Sequence, residues 1–279
     1  MKPLKTIKET NFEVFVDGAC NSADTFMPLV EDFVEQLPEL MPDVWDIVEP
    51  FKRPFTVQNV RETISSWPGA QFDFFWKRKT VPKAWGVFSR LVWNARGARH
   101  AHIRMYVNLS RDLEKRIITY LKHTSIKFGG HYGYFDTLVG QYRDTGLKNK
   151  AAPGAMAIHI PSHQLQTFLP DILWSQVFGP PYVRLFGLEK LLSAPAYRVE
   201  QLGPETVYIQ LSESLFDMHE RYETVDAIRQ QVKAHLDDNI FFKADNPEGH
   251  VYRTPDFQFP PDPNPVPLYS TVMAARSSR

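Results

Sequence analysis

Apolar residues at the start of the chain change their spacing from two to three or four, which predicts a strand and then a helix. In residues 11–18, NFEVFVDG, the alternating apolar positions are Phe12, Val14 and Val16. Phe15 interrupts this alternation. A helix is predicted to begin at a Ser22 or Asp24 cap and to end near Gln36. Its buried stripe would consist of Phe26, Leu29, Val30, Phe33 and Leu37.

The same two periodicities predict further elements along the chain. Helices are expected over residues 57–64, 110–130 and 222–236, and Ser110 would cap the middle one. Strands are expected over residues 71–79, 101–110, 131–140, 196–202 and 206–212. Residues 162–179 are predicted to begin as a helix, which Pro170 would end.

The order of these elements favours an α+β fold, because strands and helices do not alternate regularly. We expect a mixed or antiparallel sheet with packed helices in a single domain over residues 1–245. From residue 246 to residue 279, prolines recur every few positions, so this segment is predicted to be an extended tail. Its candidate anchors are Phe257, Phe259 and Leu268.

The formal net charge of zero conceals two long blocks of opposite sign. Residues 9–51 contain eleven acidic residues and no basic one, whereas residues 74–111 contain nine basic residues and no acidic one. Such blocks predict two surfaces of opposite potential, unless they fold against each other. The sequence leaves both arrangements open.

The basic block also contains tryptophans, which suggests nucleic acid as a ligand. Cations track phosphates and aromatic rings stack on bases, so residues 76–104 could form a groove for nucleic acid. The tryptophans are Trp76, Trp85 and Trp93. Because the whole chain is neutral and lacks the known recognition motifs, we favour a structural role for this block. Nucleic-acid binding is the alternative function, but it is not the one we favour, and we expect no nucleic-acid partner.

Catalytic motifs are missing from the sequence. It has no phosphate-binding GxxxxGK[ST] loop, and no GxGxxG, HExxH or GxSxG pattern. No Asp or Glu is followed two positions later by Lys, as a restriction-type nuclease requires. His100 and His102 would share one face of a strand, but a structural metal site needs about four ligands. We therefore predict a protein that is not an enzyme, with no catalytic or metal-binding residues and no cofactor.

The location of the protein is suggested by what its sequence lacks. No apolar run approaches the ~20 residues of a membrane helix, and the first residues lack the apolar core of a signal peptide. The single cysteine, Cys20, excludes an internal disulfide. We expect a cytoplasmic protein without a membrane partner.

One stretch resembles a known class of proteins. The pattern Trp-x-x-Val-Phe-Gly-x-x-Tyr-Val-x-Leu-Phe-Gly runs from Trp174 to Gly187, and Leu191, Leu192 and Pro195 continue it. It resembles bacterial immunity proteins that accompany polymorphic toxins, and is most similar to immunity family fifty-two. More loosely, the resemblance covers residues 72–242. Immunity proteins of type VI secretion systems have a similar order of elements.

This resemblance implies an α+β protein that inhibits a restriction-endonuclease-like toxin by binding it one to one. An acidic surface could occupy the cationic cleft of a nuclease and speed association. The predicted toxin-binding acidic residues are Asp24, Glu31, Glu35, Glu39, Asp43 and Asp46. A solvated helix face is the alternative for these residues. Tyr182 and Phe186 are predicted aromatic anchors, although the sequence allows a place in the core equally well.

Overall fold

The computed structural model describes residues 4–16, 23–66, 71–91, 100–137, 160–243 and 249–259. The strands are β1 (Thr6–Val16), β2 (Val44–Asp46), β3 (Arg53–Pro54), β4 (Gln71–Arg78), β5 (Ala84–Leu91), β6 (Ala101–Ser110), β7 (Gly130–Thr137), β8 (Ser175–Phe178), β9 (Arg198–Gly203) and β10 (Thr206–Gln210). The helices are α1 (Ala23–Gln36), α2 (Val57–Ser65), α3 (Arg111–Lys127), α4 (Pro180–Phe186), α5 (Leu188–Leu192), α6 (Asp217–Glu220) and α7 (Tyr222–Leu236). Short 3-10 helices cover Pro38–Leu40, Ser162–Gln166 and Asp238–Ile240.

Ten strands of the described part form one sheet in the order β3-β2-β4-β5-β6-β1-β7-β8-β10-β9. All neighbouring strands in this sheet are antiparallel. Helices pack against the sheet but do not alternate with its strands. The predicted α+β class is therefore confirmed.

The sheet has two faces that carry different side chains. The helix face, which α1 and α3 cover, contains Phe12, whose ring stacks on Tyr120 of α3 with centroids 5.5 Å apart. Phe33 of α1 packs there against Trp76 at 5.1 Å. The second face contains Glu13 and Phe15, because successive residues of a strand point to opposite sides. Over β7 this face is covered by α4, whose Tyr182 lies 5.4 Å from Tyr132.

The elements whose apolar residues recur at a regular spacing are the ones that the sequence predicts well. Helix α1 ends at Gln36 as expected, and its five stripe residues are completely buried. Ser110 caps α3 as predicted, by accepting a hydrogen bond from the Leu113 backbone N–H at 3.4 Å. The strand predicted over residues 101–110 is β6.

The prediction of a helix at the start of residues 162–179 is wrong beyond its first turn. Only Ser162–Gln166 is helical, as a 3-10 helix, and β8 occupies the end of the segment. The backbone between them is held by distant partners: the Trp174 N–H donates to Asp136 Oδ2 at 2.8 Å. Trp174 Nε1 also donates to Ser212 Oγ at 2.8 Å. These tertiary hydrogen bonds override the local helical pattern.

The glycines of the stretch VFGPPYVRLFG allow it to fold tightly against β7. A Cβ atom on Gly179 would lie 1.9 Å from the Gly130 carbonyl oxygen, so only glycine fits there. The two prolines that follow begin α4, where their missing N–H groups need no partner. Gly187, which separates α4 from α5, has φ of 93°, a conformation that L side chains rarely adopt.

The predicted tail lies partly within the described residues. Residues 250–259 have no regular secondary structure, and Phe257 packs against His131 and Tyr182 at 5.5 and 6.0 Å. The predicted anchor Leu268 and the rest of residues 260–279 lie outside the described residues. In the described part of the chain, no helix has the length and apolar character needed to cross a membrane.

Candidate functional site

The two predicted aromatic anchors lie in the hydrophobic core and not on a surface. Tyr182 is completely buried and Phe186 is 8% exposed. Both rings pack against Phe178 of β8, at 5.8 and 5.3 Å. The prediction that they contact a toxin is therefore corrected, because a partner cannot reach rings that the fold itself encloses.

Four of the six predicted acidic contacts have partners within the molecule. Glu31 pairs with Arg61 of α2, and Glu39 lies 2.8 Å from Arg116 of α3. The other two are in the segment around β2. Asp43 accepts from the Lys79 and Thr80 backbone N–H groups at 2.7 and 3.3 Å, and Asp46 lies 3.5 Å from Arg53. These four carboxylates therefore hold elements of the fold together.

Asp24 and Glu35 are the two predicted acidic contacts that remain exposed on α1. Among the described residues, neither has a hydrogen bond or an ion pair. Charged groups in this state are free to meet a partner, but solvation is their ordinary state. That these two residues contact a toxin remains a prediction.

The acidic and basic blocks fold partly against each other. Strand β2 pairs with β4, which places the acidic segment beside the first basic residues. Arg78 of the basic block donates to the Met41 carbonyl oxygen at 3.1 Å. Trp76 of the basic block is completely buried, which agrees with the structural role favoured for this block. Trp93 lies outside the described residues.

A buried polar network crosses three strands on the second face. Glu13 of β1 lies opposite Arg104 of β6 and Tyr134 of β7. Arg104 donates to Glu13 Oε1 through Nε at 3.0 Å and Nη2 at 2.8 Å, and the Tyr134 hydroxyl donates to Oε2 at 2.9 Å. Burial raises the pKa of Glu13, and the Arg104 charge opposes this shift. Glu13, Arg104 and Tyr134 thus supply hydrogen-bond partners to one another, as a buried charge requires.

A histidine pair lies beneath the described end of the tail. His100 Nε2 is 3.1 Å from His131 Nδ1, and the rings of Phe257 and Phe259 pack on both histidines. Burial lowers the pKa of His131 to about 4, and the Arg184 charge contributes. Burial also lowers the pKa of His100 well below its usual value. The pair is therefore uncharged at neutral pH and packs as part of an aromatic cluster.

An exposed surface at the end of the β4–β5 hairpin lies within the basic block whose tryptophans suggested nucleic acid as a ligand. Trp85 is 42% exposed and Val81 is 83% exposed, although both are large and apolar. Three exposed lysines join them, and with Trp85 these lysines line a depression of about 350 Å³. We call this set the Trp85 surface: Lys77, Lys79, Val81, Lys83 and Trp85.

The backbone of the Trp85 surface is held in place from three directions. The Asp43 carboxylate binds two N–H groups of the turn, as described above. The Lys83 carbonyl accepts from the Asn108 N–H of β6 at 2.9 Å. Trp85 stacks on Tyr106, its partner across β5 and β6, with ring centroids 4.0 Å apart and planes 19° apart. The side chains of this surface therefore project from a rigid support.

Comparison with known proteins shows a similarity of fold. No protein-family model matches the chain, and no curated protein matches it. Among solved structures, it is similar to the type VI secretion system (T6SS) protein PA0821 of Pseudomonas aeruginosa, with a TM-score of 0.51 and 10% sequence identity. The match covers 83% of this chain and 75% of that chain. The chain thus shares its fold with a protein described as part of type VI secretion.

Proposed function

We propose that this protein is an immunity protein, which binds a bacterial toxin encoded beside it and blocks the toxin by one-to-one occlusion. The proposed toxin is a nuclease effector of a type VI secretion system. The observation that carries the proposal is the fold similarity to a T6SS protein, which extends over 83% of the chain. The pattern from Trp174 to Gly187, which resembles immunity proteins, adds independent support.

The use of polar groups inside the molecule also favours a binding protein. Buried carboxylates serve the fold: Glu13 holds Arg104, and Asp136 accepts from the Trp174 backbone N–H. Glu114 accepts from the Ser214 hydroxyl at 2.8 Å and from the Leu215 N–H at 2.5 Å. A rigid scaffold with an exposed surface is what an inhibitor needs, because preorganised groups lose little entropy when they bind.

The alternative function, nucleic-acid binding by residues 76–104, has less support from the described side chains. A groove needs aromatic rings and cations that a ligand can reach. Trp76 is buried in the core, and Arg104 is paired with Glu13. The exposed cations of this segment in the described part are lysines around a single tryptophan, Trp85.

Growth rescue tests the proposal. Cells that express the toxin encoded next to this gene should survive when they also make this protein. The matched negative control is the same strain with an empty vector, and a soluble-fraction assay confirms that the rescuing protein is folded. Continued killing despite abundant folded protein would refute the immunity function.

A further inference from the structure

The Trp85 surface combines two features that a free protein surface has little reason to keep together. A tryptophan with 42% of its surface exposed leaves apolar area in water, and tryptophan is among the residues that most often dominate binding energies. Beside it, the ammonium groups of Lys77, Lys79 and Lys83 have no ion-pair partner among the described residues. An apolar centre with a cationic rim fits a partner that supplies an apolar side chain and carboxylates.

Several other cations of the described part are paired within the fold, whereas these three lysines, like Lys115 and Lys190, have no ion pair among the described residues. Arg61, Arg104 and Arg116 each lie beside a carboxylate. The three lysines of the Trp85 surface also lie on one hairpin, so their potentials add.

We infer that the Trp85 surface is where this protein docks on its toxin, and that the toxin contributes acidic side chains around an apolar one. The inference rests on the proposed function, since it takes the partner to be that toxin. A nuclease that holds a divalent metal does so with carboxylates, which have the chemistry that lysines recognise. The contact assigned here is cationic, unlike the acidic contact predicted from the sequence.

Two observations favour a protein partner over a nucleic acid. One face of the Trp85 ring is already stacked on Tyr106, so the ring is one half of an existing pair and not an open platform for successive bases. The nearest arginine of the hairpin, Arg78, donates to the carbonyl oxygens of Met41 and Val81 at 3.1 and 3.5 Å. Its guanidinium is therefore not free to bind phosphate in a bidentate way.

The rigid turn adds to the expected affinity. Asp43 and Asn108 fix the backbone that carries Lys79 and Lys83, so binding orders only the side chains. Removing the Trp85 ring should not unfold the protein, because the ring lies partly in solvent and is not among the buried residues of the core.

Binding measurements on four variants test the inference. The probes are the toxin encoded beside this gene, purified with its catalytic residues inactivated, and a single-stranded DNA of 20 nucleotides. Trp85→Ala should weaken toxin binding at least about 30-fold, the size of a hot-spot residue. The double variant Lys79→Glu/Lys83→Glu should slow association about tenfold or more and reverse its salt dependence.

The matched control is Lys115→Glu/Lys190→Glu, which makes the same charge change at exposed lysines of α3 and α5 and should bind the toxin as the native protein does. The fourth variant is Asp24→Lys/Glu35→Lys on α1. Thermal melts establish that all four variants are folded.

Four results would overturn the inference. If the native protein binds the toxin and both Trp85-surface variants bind equally well, the inference fails and the immunity function stands. Loss of toxin binding only in Asp24→Lys/Glu35→Lys would place the contact on α1. If the native protein does not bind the toxin at all, the proposed function fails together with the inference. DNA binding that the Trp85-surface variants lose, with toxin binding unchanged, would assign the surface to nucleic acid.

Discussion

Replacement of Glu13 by leucine should destabilise the protein by about 3–5 kcal/mol, the usual cost of removing one partner from a buried ion pair. The Arg104 guanidinium would lose both of its hydrogen bonds to Glu13, and the Tyr134 hydroxyl would lose its acceptor. The Arg104 side chain is only 15% exposed, so water can replace its lost hydrogen bonds only in part. Urea unfolding at pH 7 measures the loss.

The double variant Glu13→Leu/Arg104→Met tests whether the loss of stability comes from leaving Arg104 buried without its partner. It should recover much of the lost stability, because replacing both members of a buried pair with apolar residues is often neutral. As a surface control, Glu31→Leu breaks a partly exposed pair with Arg61 and should cost no more than about 1 kcal/mol. A loss below about 1 kcal/mol in Glu13→Leu would show that the network contributes little to the fold.

Acid should weaken the fold through His131, whose folded-state pKa is about 4. The unfolded chain has an ordinary histidine pKa near 6.5, so it binds more protons than the folded protein between these values. Stability from this group is therefore fully present above pH 6.5 and is lost as the pH falls towards 4. The loss amounts to about 3 kcal/mol for His131 alone.

Unfolding free energies at pH 7 and pH 4.5 measure this effect. His131→Gln should lose less stability between these two values than the native protein does, since glutamine does not titrate. The control His235→Gln, at a partly exposed position of α7, should keep the native loss. His100 faces His131 and lies near His102, so its lowered pKa adds to the loss in the same direction. Equal losses in His131→Gln and the native protein would mean that the pKa of His131 is the same in the folded and unfolded states.

The parts of the fold that are encoded locally are the ones that the sequence predicts. The apolar stripe of helix α1 lies within twelve consecutive positions, and β6 alternates between apolar and polar residues at every position except Tyr106. The sequence did not predict β5, because its apolar residues lack that alternation. The segment before β8 has apolar residues on all sides, so its period could not distinguish a helix from an extended chain that is buried completely.

The candidate site was harder to predict because it depends on which distant residues meet. Glu31 and Arg61 are thirty positions apart, and Glu39 meets Arg116 from a different element. No local pattern indicates that these carboxylates are paired. Trp85 and the lysines were visible in the sequence, but their exposure depends on the side of β5 that the core occupies. Which side of β5 faces the core is decided by tertiary packing and not by the local sequence.

Titration of toxin activity with the purified protein tests most directly the central claim that this molecule acts by occupying a partner. With toxin concentration well above the dissociation constant, activity should fall linearly and reach zero at one equivalent of protein. Complete inactivation by a small fraction of an equivalent would contradict the account, because it would mean that the protein turns over. Residual activity at a large excess would contradict it as well.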